Sequence, residues 1–268
     1  MLYIVATPIG NLEDITLRAL RVLKEADIIA AEDTRRTIKL LNHYDIKTKL
    51  MSFHEHSGEG RRAQIIDELK AGKNIALVSD AGTPLISDPG AELVAEAAEA
   101  GIEITSLPGA CAAVTAYTLS GFSGAFTFIG FLSKKNSERK AETDRIAQSE
   151  LPCVLYESPH GLKDTLAAIA EACGDQRRVA VAKELTKMHE SVFRGTAGEA
   201  RDAFGGDIKG EYVVVVGGAE ITKAQVSDED IKALLEKYIS SGMTKKDAAH
   251  AASVKLNISK NRVYKLTI

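Results

Sequence analysis

The stretch IALVSDAGTPLISDPG, Ile75 to Gly90, decides the fold. Ile75 to Val78 form a short apolar run with no polar alternation, which reads as a strand covered on both faces, as in a parallel sheet. The loop that follows packs two glycines, two prolines and two aspartates into Ser79 to Gly90. A plain strand-to-helix turn needs only about two to six residues. The longer loop sits at the carboxyl edge of the sheet, where open α/β sheets hold their ligands. Gly82 opens backbone angles barred to other residues, while Pro84 and Pro89 fix theirs. The result is a rigid loop that can turn several backbone N–H and C=O groups toward one small molecule.

The same pattern extends in both directions. LYIVAT, DIIAAE, KLMSF and EITSLPG are short apolar runs separated by helix-patterned stretches, which predicts an α/β fold with a mainly parallel sheet over residues 1–120. VATPIGNLED and SLPGACAAV follow two of those runs, so three loops converge on one sheet edge and form a cleft. After the glycine-rich GFSGAF the pattern changes: AFTFIGF, CVLYES, RVAVAKEL, ESVFRGT and EYVVVVGG include strands with little between them. Antiparallel pairing is expected there, in a second, mixed α/β domain over 121–219. Over 220–268, Ile231, Leu234, Leu235, Tyr238 and Ile239 trace one face of an amphipathic helix. Thr244-x-x-Asp247 and Ser259 supply two further helix starts, which predicts a small module of helix-turn-helix character.

Composition narrows the function classes. No apolar run is long enough for a bilayer, and the start of the chain lacks the basic flank and cleavage site of a signal peptide, so a cytoplasmic protein is expected. Cys111, Cys153 and Cys173 are odd in number and share no CxxC spacing, against a disulfide framework or a zinc knuckle. His54 and His56 form an HxH without a third ligand at suitable spacing, so no metal is expected. From Ile221 onward nine Lys/Arg stand against five Asp/Glu, which leaves the tail at +4 within a chain of net charge −3. A basic appendage suits a polyanion. Neither GxGxxG nor GxxxxGK[ST] occurs, so dinucleotide and P-loop sites are unsupported. The weakly charged loops fit a ligand held mainly by backbone contacts, such as an adenosyl compound.

Six motifs in order, ATPIGNLEDIT, AEDTRRT, SDAGTPLISDPG, LPGACAA, YESPH and KELTKMHE, resemble the ribosomal RNA small subunit methyltransferase I family of the tetrapyrrole methylase superfamily. The resemblance runs from Leu2 to about Gly218, and the basic tail is similar to that family's C-terminal module. It implies two α/β domains with S-adenosylmethionine bound folded between them. It also implies methylation of the ribose 2'-hydroxyl of a cytidine in the decoding region of 16S rRNA, a small ribosomal subunit as acceptor, and a homodimer. Asp80, Gly82, Thr83, Leu85 and Ile86 would wrap the cofactor, with Cys111, Ala112 and Tyr156 joining them. Pro8 and Gly10 are also expected at the cofactor; porphyrin-methylating relatives carry a glycine-rich VGxGPG after the first strand where this chain has ATPIGN, a stiffer loop that suits a different substrate.

A protonated ribose hydroxyl is a poor nucleophile, so a general base or an alkoxide stabiliser is expected beside it. Glu32, Asp33, Lys183 and Glu184 are the catalytic candidates. Arg35, Arg36, His54, Glu55, Lys134, Lys135, His160 and His189 are expected on the substrate side, with Lys245, Lys246, Lys260 and Arg262 of the tail on phosphates. With no tryptophan and few aromatics, shape and charge are expected to outweigh stacking. Two other readings fit parts of the chain: methylation of a small tetrapyrrole-type substrate, and a non-catalytic RNA-binding assembly factor.

Overall fold

The structure is a computed structural model that describes residues 1–55, 57–206, 208–220, 227–256 and 258–266. His56 of the HxH lies outside the described residues. The chain divides into two units, Met1–Ala219 and Glu220–Ile268.

In the first unit, β1 (Leu2–Val5), β2 (Ile28–Ala31), β3 (Lys49–Ser52), β4 (Ile75–Val78) and β5 (Ile104–Leu107) form one sheet in the order β3-β2-β4-β1-β5. Every pairing in it is parallel. Period-two alternation sends neighbouring side chains to opposite faces. Ile4, Ile28 and Leu77 meet α3 (Gly58–Lys70) and α4 (Ala91–Glu99) on one face. Val5, Ile29 and Val78 meet α1 (Leu17–Glu25) and α2 (Thr34–His43) on the other. With both faces covered, β4 is buried along its whole length, as its unbroken apolar sequence requires. Each fully buried Ile, Leu or Val contributes about 1.5–3 kcal/mol.

Strand order also fixes where a ligand can sit. The chain leaves β1 toward β2 on one side and leaves β4 toward β5 on the other, although β1 and β4 are neighbours. Connections that diverge from adjacent strands open a crevice at their carboxyl ends.

The second sheet runs β6 (Thr127–Gly130), β7 (Cys153–Glu157), β10 (Tyr212–Val216), β8 (Arg178–Lys183), β9 (Ser191–Thr196) in spatial order. Only β6 and β7 pair in parallel; the remaining pairs are antiparallel. Helices α6 (Asn136–Gln148), α7 (Leu162–Cys173) and α8 (Ala197–Ala203) cover one face through Ile146, Leu166, Ile169 and Ala200. The other face is covered by α5 (Ala112–Ser120), whose Ala113, Ala116 and Tyr117 pack on Val154, Ala180 and Val213. Although α5 follows β5 of the first sheet, its packing is on the second. It ties the two sheets together.

The second unit contains α9 (Asp228–Ser240), α10 (Lys245–Lys255) and α11 (Lys260–Lys265) around Ile231, Leu235, Ala248, Ala249, Ala252 and Val263. Ser227, Thr244 and Ser259 cap them, each side chain accepting from the backbone N–H three residues on. Caps of this kind contribute about 0.5–2 kcal/mol each, which matters for so small a core.

Candidate active site

A cleft of about 530 Å³ opens at the carboxyl end of the first sheet and is closed on its far side by the second. Its floor is the Ser79–Gly90 loop. Thr7 and Gly82 exchange backbone hydrogen bonds of 2.9 Å in both directions, which couples the loops after β1 and β4. Thr83 donates its hydroxyl to the Ala110 carbonyl at 3.0 Å and so joins the loop after β5. Gly82 takes φ +84°, and Leu85 and Ser87 are also forced into the left-handed region at 72° and 68°. Non-glycine residues held there cost about 1–3 kcal/mol each and persist only where the surroundings over-determine them.

Acidic groups crowd one end of the cleft. The Asp80 N–H donates to Glu32 Oε2 at 3.3 Å, and the Asp33 N–H donates to Asp80 Oδ1 at 3.0 Å. Arg36 reaches Asp80 at 3.3 Å. Burial raises the Glu32 carboxyl above its usual range, against the opposing pull of the hydrogen bond from the Asp80 N–H. Asp88 is pushed up to about 6, first by burial and then by the nearby Glu32 charge. Glu32, Asp80 and Asp88 with one guanidinium leave this end negative, which corrects the sequence reading of weakly charged loops. The acidity was hidden because Glu32 stands 48 residues before Asp80.

The opposite wall is apolar and aromatic through Phe131, Tyr156, Leu185 and Val213, and also carries Glu157 and Glu211. Tyr156 lies edge-on to Phe128 and Phe131, at ring-centroid distances of 5.1 and 5.7 Å. Its hydroxyl accepts from the Ala113 N–H at 3.2 Å, at the start of α5. Burial raises the phenol well above its usual range, with the neighbouring Cys111 adding to the rise, so it stays protonated.

Of the residues expected around the cofactor, Asp80, Gly82, Thr83, Ile86, Ala112 and Tyr156 line the cleft. Leu85 packs beneath the loop, toward Gly90. Cys111 sits just before α5 and packs with Tyr156 in the apolar cluster behind the wall. Pro8 and Gly10 belong to the loop after β1. A Cβ on Gly10 would fall 2.6 Å from Lys187 and 2.9 Å from the Leu185 carbonyl, so glycine there lets the loops after β1 and β8 close on each other.

Among the catalytic candidates, Glu32 lines the cleft. Asp33 is the N-cap of α2, with both carboxylate oxygens engaged by Arg35 at 3.1 and 2.9 Å. Glu184 accepts from Lys187 and from the Glu211 N–H, both at 2.9 Å, and clamps the loop after β8. Lys183 ends β8, half-buried, outside the cleft lining.

On the substrate side, Arg36 lines the cleft, whereas Arg35 is exposed on its pair with Asp33. His54 and Glu55 line an adjoining recess of about 200 Å³ that shares Asp88 with the cleft. Lys134 and Lys135 are exposed ahead of α6, Lys135 pairing with Glu138 at 3.0 Å. His160 and His189 are exposed in the turns after β7 and β8. In the second unit Lys245, Lys246 and Lys260 are exposed in first helical turns, and Arg262 pairs with Asp228 at 2.8 Å.

Two residues escaped the sequence reading. Asp88 was visible as the second aspartate of the long loop, but only burial distinguishes it from a turn former. Phe131 stands more than half exposed at the cleft.

Fold and cleft together define an α/β methylase of two sheets, and residues 1–201 match the family of Tetrapyrrole (Corrin/Porphyrin) Methylases. Solved structures agree on the fold. Uroporphyrin-III C-methyl transferase from Thermus thermophilus, complexed with S-adenyl homocysteine, superposes with a TM-score of 0.59 at 14% identity, over 81% of this chain and 96% of that one. Diphthine synthase gives a TM-score of 0.60 at 14% identity, over 81% and 89%. Sequence relatives reach further along the chain. Ribosomal RNA small subunit methyltransferase I of Bacillus subtilis (strain 168) is 47% identical over 98% of this chain and 92% of its own length. Its namesake in Synechocystis sp. is 44% identical over 100% and 97%. The chain belongs to the ribosomal RNA small subunit methyltransferase I family of the tetrapyrrole methylases.

Proposed function

We propose that this protein transfers a methyl group from S-adenosylmethionine to the ribose 2'-hydroxyl of a cytidine in the decoding region of 16S rRNA. The observation that carries the reading is the end-to-end relation to curated ribosomal RNA small subunit methyltransferases, which includes the basic tail. The donor set of the cleft fits the cofactor. Glu32, Asp80 and Asp88 are suited to a ligand that carries a sulfonium and an ammonium, while Gly82, Thr83 and Ala112 offer backbone groups to its neutral parts. An acidic end suits a polycarboxylate tetrapyrrole poorly, since like charges in a half-buried site repel.

S-adenosylmethionine supplies a methyl group on a positively charged sulfur that leaves as a neutral thioether. The chain's residues then have two tasks. Asp80, Asp88 and the rigid loop hold the reacting groups in line, an effect that can supply about 7–11 kcal/mol of a barrier. Glu32 accepts the hydroxyl proton as the ribose oxygen bonds to the methyl carbon; its raised pKa brings it closer to the working pH, as a general base requires. Tyr156 stays protonated and adds a neutral aromatic ring to the lining of the cleft.

The acceptor is 16S rRNA in the small subunit, with Arg35, Arg36, Lys134, Lys135 and the tail's Lys245, Lys246, Lys260 and Arg262 on phosphates and His54, Glu55, His160 and His189 around the nucleotide. The protein works in the cytoplasm as a homodimer, and the transfer needs no metal because the thioether leaves as a neutral group.

The test is incubation with methyl-labelled S-adenosylmethionine and small subunits from cells that lack the activity, followed by mapping of ribose methylation. Label on one decoding-region cytidine is expected. Cofactor binding with no label on RNA would overturn the reading.

A further inference from the structure

Strand β6 ends irregularly. Phe128 pairs with Val154, but the next pair joins Gly130 to Leu155, so Ile129 is an extra residue on the β6 side. Bulges of this kind gather beside active sites, where they re-aim a side chain. Gly130 follows at φ +78°, and a Cβ on it would lie 2.9 Å from Ser87 Oγ in the cofactor loop. Bulge and glycine together press the end of β6 against that loop and turn the next side chain into the cleft. Phe131 is 57% exposed there, while Leu132 beside it is 9% exposed. Its edge-on contact with Tyr156, which itself abuts Phe128, fixes it in a row of rings.

A rigid phenyl left open to solvent in the cleft is a poor use of apolar area unless something stacks on it. The exposed Lys134 and Lys135 follow it closely in the chain, so a ligand on the ring would bring a polyanionic backbone toward cations. From this geometry, and resting on the proposed function, we infer that Phe131 is the platform on which the base of the target nucleotide stacks once it is drawn out of the RNA. Extrusion of a nucleotide costs unstacking energy that a new stacking partner offsets. Aromatic stacking tolerates any base, so Phe131 supplies position and affinity while the folded RNA supplies the choice of nucleotide.

The sequence contains no tryptophan, so Phe131→Trp installs the sole indole of the chain directly at this position. With that variant saturated in S-adenosylhomocysteine, adding unmethylated small subunits should quench its emission. Leu151→Trp, just before the opposite end of β7, should not respond. Phe131→Ala should raise KM for small subunits about tenfold with cofactor affinity unchanged, and Phe131→Tyr should restore it. Unchanged emission from Phe131→Trp together with an unchanged KM in Phe131→Ala, in a protein that still labels small subunits, would overturn this inference alone. Quenching by S-adenosylhomocysteine itself, with weakened cofactor binding in Phe131→Ala, would assign the ring to the cofactor and overturn it equally. Absence of label on small subunits with wild-type protein would remove the proposed function and this inference together.

Discussion

The two walls of the cleft are built by different means. The parallel sheet contributes a long loop held in strained backbone conformations, with Glu32, Asp80 and Asp88 gathered against it. The mixed sheet contributes Phe131, Tyr156, Leu185 and Val213, an apolar and aromatic group that shares this side with Glu157 and Glu211. Under the proposed function, the charged wall recognises the cationic cofactor and carries the proton transfer, because buried carboxylates interact strongly at short range. An aromatic wall accepts a flat group of any identity. One fold can therefore keep its cofactor and change its substrate by altering one wall.

The contrast breaks most sharply at Glu32. Glu32→Gln should slow single-turnover methyl transfer about 10²–10⁴-fold with only a small change in cofactor affinity, measured by rapid quench and calorimetry. Next in size, Asp88→Asn should weaken cofactor binding about 10- to 100-fold, the loss expected for a charged hydrogen bond. The sign with pH follows from the raised carboxyl. In the ligand-free protein Asp88 holds its proton up to about pH 6, more tightly than in the unfolded chain. Its contribution to stability therefore falls as pH rises through that value, and Asp88→Asn should melt about 2–4 °C higher than wild type near neutral pH. A cationic ligand needs the carboxylate, so wild-type affinity should climb from about pH 5 to pH 7 while the Asn variant stays flat.

The loop itself can be broken without touching a charge. Gly90 takes φ +128°, and a Cβ on it would lie 2.9 Å from Leu77 Cδ2 in the core. Gly90→Ala should cost about 1–3 kcal/mol of stability, read from urea unfolding. The smallest effect sharpens the aromatic side. Replacing Lys134 and Lys135 by Ala should weaken small-subunit binding uniformly and lower the salt slope by about 1–2, with cofactor affinity untouched.

Much of this was legible in the sequence, and the parts that were not share a cause. The strands announced themselves as short apolar runs, and the tail helices by the stripe from Ile231 to Ile239 and by Thr244 and Ser259 at two of their starts. The Ser79–Gly90 loop was marked as a rigid cleft-lining loop by its glycines and prolines. What stayed hidden depends on residues distant in the chain. Nothing local to Ala112–Ser120 says that α5 packs on the second sheet rather than the first. Nothing local to SDP says that Glu32 comes close enough to Asp88 to raise its pKa. The irregular step from Phe128 to Gly130, which sends Phe131 into the cleft, is a matter of register against β7. Glu184 and Asp33 looked reactive because the sequence does not show which carboxylates are already taken by neighbouring cations.

The division of labour between the walls is tested most directly by titrating S-adenosylhomocysteine calorimetrically into wild type, Asp88→Asn and Phe131→Ala, and measuring KM for small subunits on the same preparations. Asp88→Asn should lose cofactor affinity at unchanged fold, and Phe131→Ala should keep cofactor affinity while its KM for small subunits rises. Equal losses of cofactor affinity in both variants would contradict it.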